Sequence, residues 1–173
     1  MTTEPAKAEL PKSPNSLRLT LWVLLIVYIF NFLDRQIVNI LAEPISRDLG
    51  LSDTQIGLMT GIAFAAFYTF LGIPIARYAD RPKTNRVGLI SVSLIIWSGM
   101  TALCGVAQNF VQLLLARIGV GVGEAGCTPA AHSLIADLAP PEKRASAISF
   151  YSLGIPIGSL LGMVIGGLVA DAY

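Results

Sequence analysis

Polar and apolar residues fall into long blocks along this chain. Residues 1–16 are polar and hold Pro5, Pro11 and Pro14 among Glu4, Lys7, Glu9 and Lys12. That mixture predicts a disordered tail. From Leu17 onward, apolar runs of membrane-crossing length take over. A span needs about 20 residues, and five segments qualify, at about 17–41, 54–78, 85–107, 110–138 and 142–170. Ser52 or Asp53 supplies an N-cap for the second. Val87 to Leu115 carries no charge, yet about 29 residues is too long for one upright span. Its one polar pair, Gln108-Asn109, therefore predicts a tight turn between the third and fourth helices. Pro140-Pro141 ends the fourth, and Pro156 is expected to bend the fifth. The first run continues past Asp34 and Arg35 to Leu41 without a small-residue cleavage site, so it is expected to remain uncleaved. The fold predicted is an all-α integral membrane bundle, residues 17–173, lying in a lipid bilayer.

Composition agrees with the pattern. Hydrophobic residues make up 54% of the 173 positions and charged residues 13%, against about 25% charged in soluble domains. The net charge of +1 gives no reason to expect a nucleic-acid partner. Cys104 and Cys127 sit inside apolar runs, too sparse for a disulfide scaffold or zinc site. There is no metal cluster, catalytic triad or phosphate-binding loop, so neither an enzyme nor a cofactor is expected. His132, the only histidine, reads more readily as a hydrogen-bonded structural residue than as a proton relay.

The basic residues set orientation. Lys7, Lys12 and Arg18 precede or open the first helix. Arg77, Arg81, Lys83 and Arg86 surround the loop after the second, and Lys143 and Arg144 follow the fourth. All nine fall on one side, which predicts a cytoplasmic N-terminus. The opposite side has Arg47, beside Glu43, Asp48 and Asp53.

Four charges lie within predicted spans: Asp34 and Arg35 on the first helix, Arg117 and Glu124 on the fourth. Each costs about 2.5–3.5 kcal/mol at bilayer depth on insertion scales, so each should face protein or a watery cavity. Counting about 1.5 Å per residue, Asp34 lies roughly 24 Å and Glu124 roughly 21 Å from the cytoplasmic ends of their helices. The two carboxylates therefore share a depth. Arg117 and Glu124 are two turns apart on one face, whereas the adjacent Asp34 and Arg35 diverge by about 100°. Pairing of Asp34 or Glu124 with Arg35 or Arg117 across the two helices is expected. Two readings follow: structural ion pairs, or a polar cavity whose carboxylates take a proton and whose arginines meet an anionic group. Burial and a neighbouring arginine act oppositely on a carboxyl's proton affinity, which lets such a group titrate usefully.

Glycine spacing predicts close helix packing. Gly154, Gly158, Gly162 and Gly166 recur every four residues on the fifth helix, Gly57 and Gly61 on the second, and Gly119 and Gly123 on the fourth. Gly121-Val-Gly123-Glu-Ala-Gly126 spells G-x-G-x-x-G, but a dinucleotide site needs a preceding strand and a βαβ unit. Here the run sits inside an apolar helix.

Ala76-Arg-Tyr-Ala-Asp80-Arg81-Pro-Lys83-Thr-Asn-Arg86 resembles the major facilitator signature G-x-x-x-D-R-x-G-R-R, placed in the loop after the second helix. Asp80 and Arg81 match. Ala76 and Lys83 replace the glycines and Thr84-Asn85 the arginine pair, while Lys83 and Arg86 keep the loop basic. Asn31-Phe-Leu-Asp34-Arg35, Ala116-Arg117 through Gly126, Pro129 through Asp137, and Tyr151 through Gly158 resemble bacterial spinster-like transporters of that superfamily.

The resemblance implies a proton-linked secondary transporter working by alternating access, in a bacterial inner membrane. Such a fold has two six-helix halves, each made of inverted three-helix repeats. This chain would supply five helices of the N-terminal half, with the sixth helix and the C-terminal half absent. By analogy, Asp34 and Glu124 serve proton coupling, Arg35 and Arg117 serve as their partners or substrate anchors, and Asp80, Arg81, Lys83 and Arg86 form a cytoplasmic gate. The cargo expected is a small, amphipathic or lipid-like solute, and the arginines suit an anionic one. Two alternatives stay open: a non-transporting membrane remnant, and a packing partner that completes its bundle with another membrane chain.

Overall fold

The computed structural model describes residues 14–171, so residues 1–13 of the expected tail lie outside the described region. Among the described residues all regular structure is helical: α1 Pro14–Ile40, α2 Ala42–Leu49, α3 Asp53–Gly57, a π turn Leu58–Ile62, α4 Ala63–Ala79, α5 Arg86–Cys104, α6 Phe110–Leu138, α7 Pro141–Ser152 and α8 Gly154–Ala170. Five spans are long and apolar enough to cross a membrane: α1, α3 through α4, α5, α6, and α7 with α8.

Several boundaries differ from expectation, each for a local reason. α1 starts at Pro14 rather than Leu17; proline fits a first turn, where no N–H is required. α2 was not anticipated. It is short and polar, stiffened by a Glu43–Arg47 ion pair one turn apart, and ended by Gly50 at φ 62°. That left-handed conformation favours glycine and lets Leu51 N–H reach the Ser46 carbonyl at 2.9 Å. Ser52 then opens α3 with a reciprocal cap: its backbone N–H donates to Gln55 Oε1 at 2.9 Å and its Oγ accepts from Gln55 N–H. α5 stops at Cys104 instead of near Ala107. The turn follows at Gly105–Asn109, where Asn109 Oδ1 accepts from Gln112 N–H at 3.0 Å. The fifth span breaks at Leu153. Pro156 has no N–H for the Ser152 carbonyl, and the ladder resumes with Ile157 N–H to the Leu153 carbonyl at 3.2 Å.

α6 is the centre of the bundle. In its apolar window 56% of residues are buried, against 17–22% in the other spans. α5 and α4 pack along it, and α7 and α1 meet it from another side. The small residues of α6 permit these approaches. A Cβ at Gly123 would lie 2.6 Å from Trp97 N of α5, and one at Gly119 would lie 2.6 Å from Met100 Cγ. α8 lies against α1, with Gly154, Gly158, Gly162 and Gly166 all buried against Tyr28, Ile29, Leu33, Gln36 and Ile40. Gly57 and Gly61 correct the expectation of glycine packing in the second span: nothing lies within 4 Å of a Cβ built on either. Ile62, Phe70, Ile95 and Leu168 are among the large apolar side chains left outside, as a lipid-facing surface requires.

A charged seam between the first and fourth spans

Four glycine and alanine positions around Glu124 bring its helix close enough to its neighbours to close it off from the surroundings. Gly121 faces Phe64 of α4, where a Cβ would sit 3.3 Å from the ring's Cδ2. Gly123 faces the Trp97 backbone, Gly126 faces Ser93 of α5, and Ala125 is buried. This packing explains the G-x-G-x-x-G spelling without a nucleotide. It also leaves the Glu124 side chain 0% exposed.

The structure brings the four intramembrane charges together as two crossed pairs. Arg35 donates from Nε to Glu124 Oε2 at 2.7 Å, with Nη2 2.6 Å from the same oxygen. Arg117 Nη1 donates to Asp34 Oδ2 at 3.2 Å. Neighbouring residues on α1 thus reach two residues seven apart on α6, and each contact joins opposite charges. Two aromatic residues that the sequence did not single out complete the arrangement. The Phe64 ring lies between both cations, 5.0 Å from the Arg35 guanidinium and 5.1 Å from that of Arg117. Tyr68, one turn along α4, lies 4.9 Å from Arg35. Such contacts stabilise a cation by about 0.5–2 kcal/mol, more as water is excluded. The Phe64–Tyr68 spacing is legible in sequence, but aromatic residues in an apolar run give no separate signal.

The seam is paired but not saturated. Glu124 Oε1 and Arg117 Nε are buried without a hydrogen-bond partner, as are Trp97 Nε1 and Thr101 Oγ1 on α5. Each open valence is costly in low dielectric. Glu124 therefore offers an acceptor with no competing donor, and the site can take a proton or a polar ligand atom there.

The loop motif behaves differently. Asp80 caps α4 and is exposed, as are Arg81 and Lys83. Arg81 lies 5.7 Å from the Tyr78 ring, beside a cavity of about 460 Å³ that Lys83 also lines. Arg86 alone of the four ties into the bundle. Its Nε donates to Ser133 Oγ at 2.7 Å, and its Nη1 lies 2.6 Å from Asp137 Oδ2, fastening the start of α5 to the end of α6. Asp137 is 54% exposed, so Arg86→Ala is expected to lower stability by only about 1 kcal/mol, read as a shift in the unfolding midpoint in detergent. Asp137→Asn should cost less, because the Ser133 bond persists. His132 is exposed and meets the Tyr151 ring edge-on at 5.5 Å; no bond to Glu124 is formed.

The sequence profile of the Major Facilitator Superfamily matches residues 24–173, so the chain belongs to that superfamily and is an integral membrane protein. Within it the chain is similar to spinster homologues. It is 47% identical to the crystal structure of a bacterial homologue of the human lysosomal transporter Spinster in an inward-facing, occupied form, with a TM-score of 0.86 over 92% of this chain and 34% of that one. The unoccupied form gives a TM-score of 0.85 over 90% and 32%. An MFS-type efflux pump of Mycolicibacterium smegmatis (strain ATCC 700084 / mc(2)155) is 41% identical over 87% of this chain and 34% of the relative. The chain thus spans about a third of the length of the proteins it matches.

Proposed function

We propose that these five spans form the N-terminal part of a proton-coupled secondary transporter working by alternating access. The observation that carries this reading is the crossed pairing of Asp34 with Arg117 and Arg35 with Glu124, with one Glu124 oxygen buried and unpartnered. A proton on Glu124, or an anionic cargo group at Arg35, competes with the existing pair. Either event alters what holds α1 to α6. The cargo is a small or amphipathic solute, and the arginines favour an anionic one. Asp80, Arg81, Lys83 and Arg86 form the cytoplasmic gate region, the N-terminus is cytoplasmic, and the membrane is the bacterial inner membrane. The relatives support this reading through their printed descriptions as an efflux pump and a homologue of a lysosomal transporter. The glycine stripe of α8 offers the packing-partner alternative no free surface, because α1 already occupies it, whereas Gly57 and Gly61 face open space.

The test uses a polypeptide carrying these spans together with the remainder of the transporter, reconstituted in liposomes. Asp34→Asn and Glu124→Gln are expected to abolish movement of a fluorescent amphipathic anion driven by a pH gradient, while gradient-free exchange persists. Wild-type gradient coupling in both variants would overturn the assignment.

A further inference from the structure

Away from the charged seam, a groove of about 490 Å³ opens between the start of α1 and the corner joining α6 to α7. Arg18, Lys143 and Arg144 line it together with Leu17, Leu21 and Leu138. The three cations meet because only Ala139 and Pro140 separate α6 from α7, which brings the first turn of α7 close to α1. Asp137 is the acidic residue of the lining, but its carboxylate is matched by Arg86 at 2.6 Å. Among the described residues, neither Arg18 nor Lys143 has an ion-pair partner. Arg144 donates from Nε to the Ala139 carbonyl at 3.2 Å. That bond anchors the side chain and uses one of the five donors of a guanidinium.

Aromatic residues lie next to the groove, further along α1 and α7. Trp22 stands about one turn along α1 from Arg18, about 6 Å deeper into the span. It is 55% exposed, and its ring meets Phe150 of α7 edge-on at 5.0 Å. Exposed tryptophan marks the membrane interface, and basic pockets between spans on the cytoplasmic side suit anionic headgroups. Cations at the end of a span, followed one turn inward by an exposed Trp22 packed on a half-buried Phe150, match a phosphate and the acyl chain below it. A soluble anion has the same charge chemistry but makes no use of Trp22 and Phe150.

We propose that this groove binds an anionic phospholipid, its phosphate held by Arg18, Lys143 and Arg144 and its acyl chain running along Trp22 and Phe150.

The test reconstitutes the full chain in phosphatidylcholine nanodiscs. A minor fraction of the lipid carries acyl-chain bromine, as phosphatidylglycerol in one sample and phosphatidylcholine in the other. The chain has two tryptophans; Trp97 is buried, so contact quenching reports on Trp22. Brominated phosphatidylglycerol is expected to quench about twofold more than brominated phosphatidylcholine, with the preference fading as salt is raised. Arg18→Gln with Lys143→Gln and Arg144→Gln should erase the preference at unchanged helical circular dichroism, and Trp22→Phe should remove it. Equal quenching by the two lipids overturns the proposal, as does a preference that survives either set of substitutions. Loss of the preference to millimolar inorganic phosphate at constant ionic strength also overturns it, because it marks a soluble-anion site. Should the triple variant fail to fold, Arg18→Gln and Lys143→Gln singly carry the same comparison, since neither residue has an ion-pair partner among the described residues.

Discussion

Arg35→Ala is expected to destabilise the bundle by about 3 kcal/mol, and adding Glu124→Gln to recover most of that loss. Glu124 is fully buried. Its Oε2 receives both contacts from Arg35, at 2.7 and 2.6 Å, and its Oε1 receives none. Removing the arginine leaves a carboxylate in low dielectric without a matched charge, and breaking such a buried pair costs about 3–5 kcal/mol. The low end applies because the Arg35 side chain is 28% exposed and Arg117 lies on the same face of α6. Glutamine at 124 leaves no charge stranded. What the double variant fails to recover is the contact of Arg35 with Phe64 and Tyr68, about 1 kcal/mol. Equilibrium unfolding in mixed detergent and dodecyl sulfate, run on wild type, both single variants and the double, reads the coupling directly. Additive losses would mean that the pair contributes nothing beyond its separate side chains.

The same coupling links stability to the proposed cycle. A pair that contributes this much to holding α1 on α6 resists relative movement of the two helices while it is intact. A proton on Glu124 removes the attraction at its source. The energy lost on breaking the pair is then the energy a proton or an anionic cargo group can redirect, which is how a local charge event biases a two-state element.

The sequence exposes these charges because the membrane makes them expensive. Asp34, Arg35, Arg117 and Glu124 stand out against apolar runs, and their depth follows from helical rise alone. Which carboxylate meets which arginine does not follow. The choice depends on how α1 is rotated against α6, which is a matter of tertiary packing that no spacing within either helix encodes. Phe64 and Tyr68 stayed invisible for a related reason: in an apolar span an aromatic residue satisfies lipid, core and cation equally well. The five spans were legible from length and apolarity. α2 was not, because eight residues with three charges are too short and too polar to read as a span. The break at Leu153 was half legible, since Pro156 announced a bend and the unbonded Ser152 carbonyl but not that the helix would part there. Glycine spacing was least informative, because identical four-residue repeats in the second and fifth spans have opposite surroundings.

That contrast gives the second large effect. Gly158→Ala and Gly162→Ala are each expected to destabilise by about 1–3 kcal/mol, whereas Gly57→Ala and Gly61→Ala should be neutral or stabilising by up to about 1 kcal/mol. A Cβ on Gly158 would press into the Ile29 carbonyl and lie 2.8 Å from Phe32 Cβ. One on Gly162 would lie 2.6 Å from Gln36 Cβ and 3.0 Å from the Leu33 carbonyl oxygen. These are backbone and Cβ atoms of α1, which no rotamer change can move aside, so α8 must shift away from α1 along its length. The paired variant should lose more than either alone, because both clashes act on one helix–helix contact. Around Gly57 and Gly61 nothing lies within 4 Å, and neither has the positive φ that would strain alanine. There the substitution acts through helix propensity alone. Thermal unfolding midpoints in detergent, measured on this chain for all four single variants, separate the two groups. Equal shifts in both would mean that glycine spacing, rather than the contact each glycine makes, governs its effect.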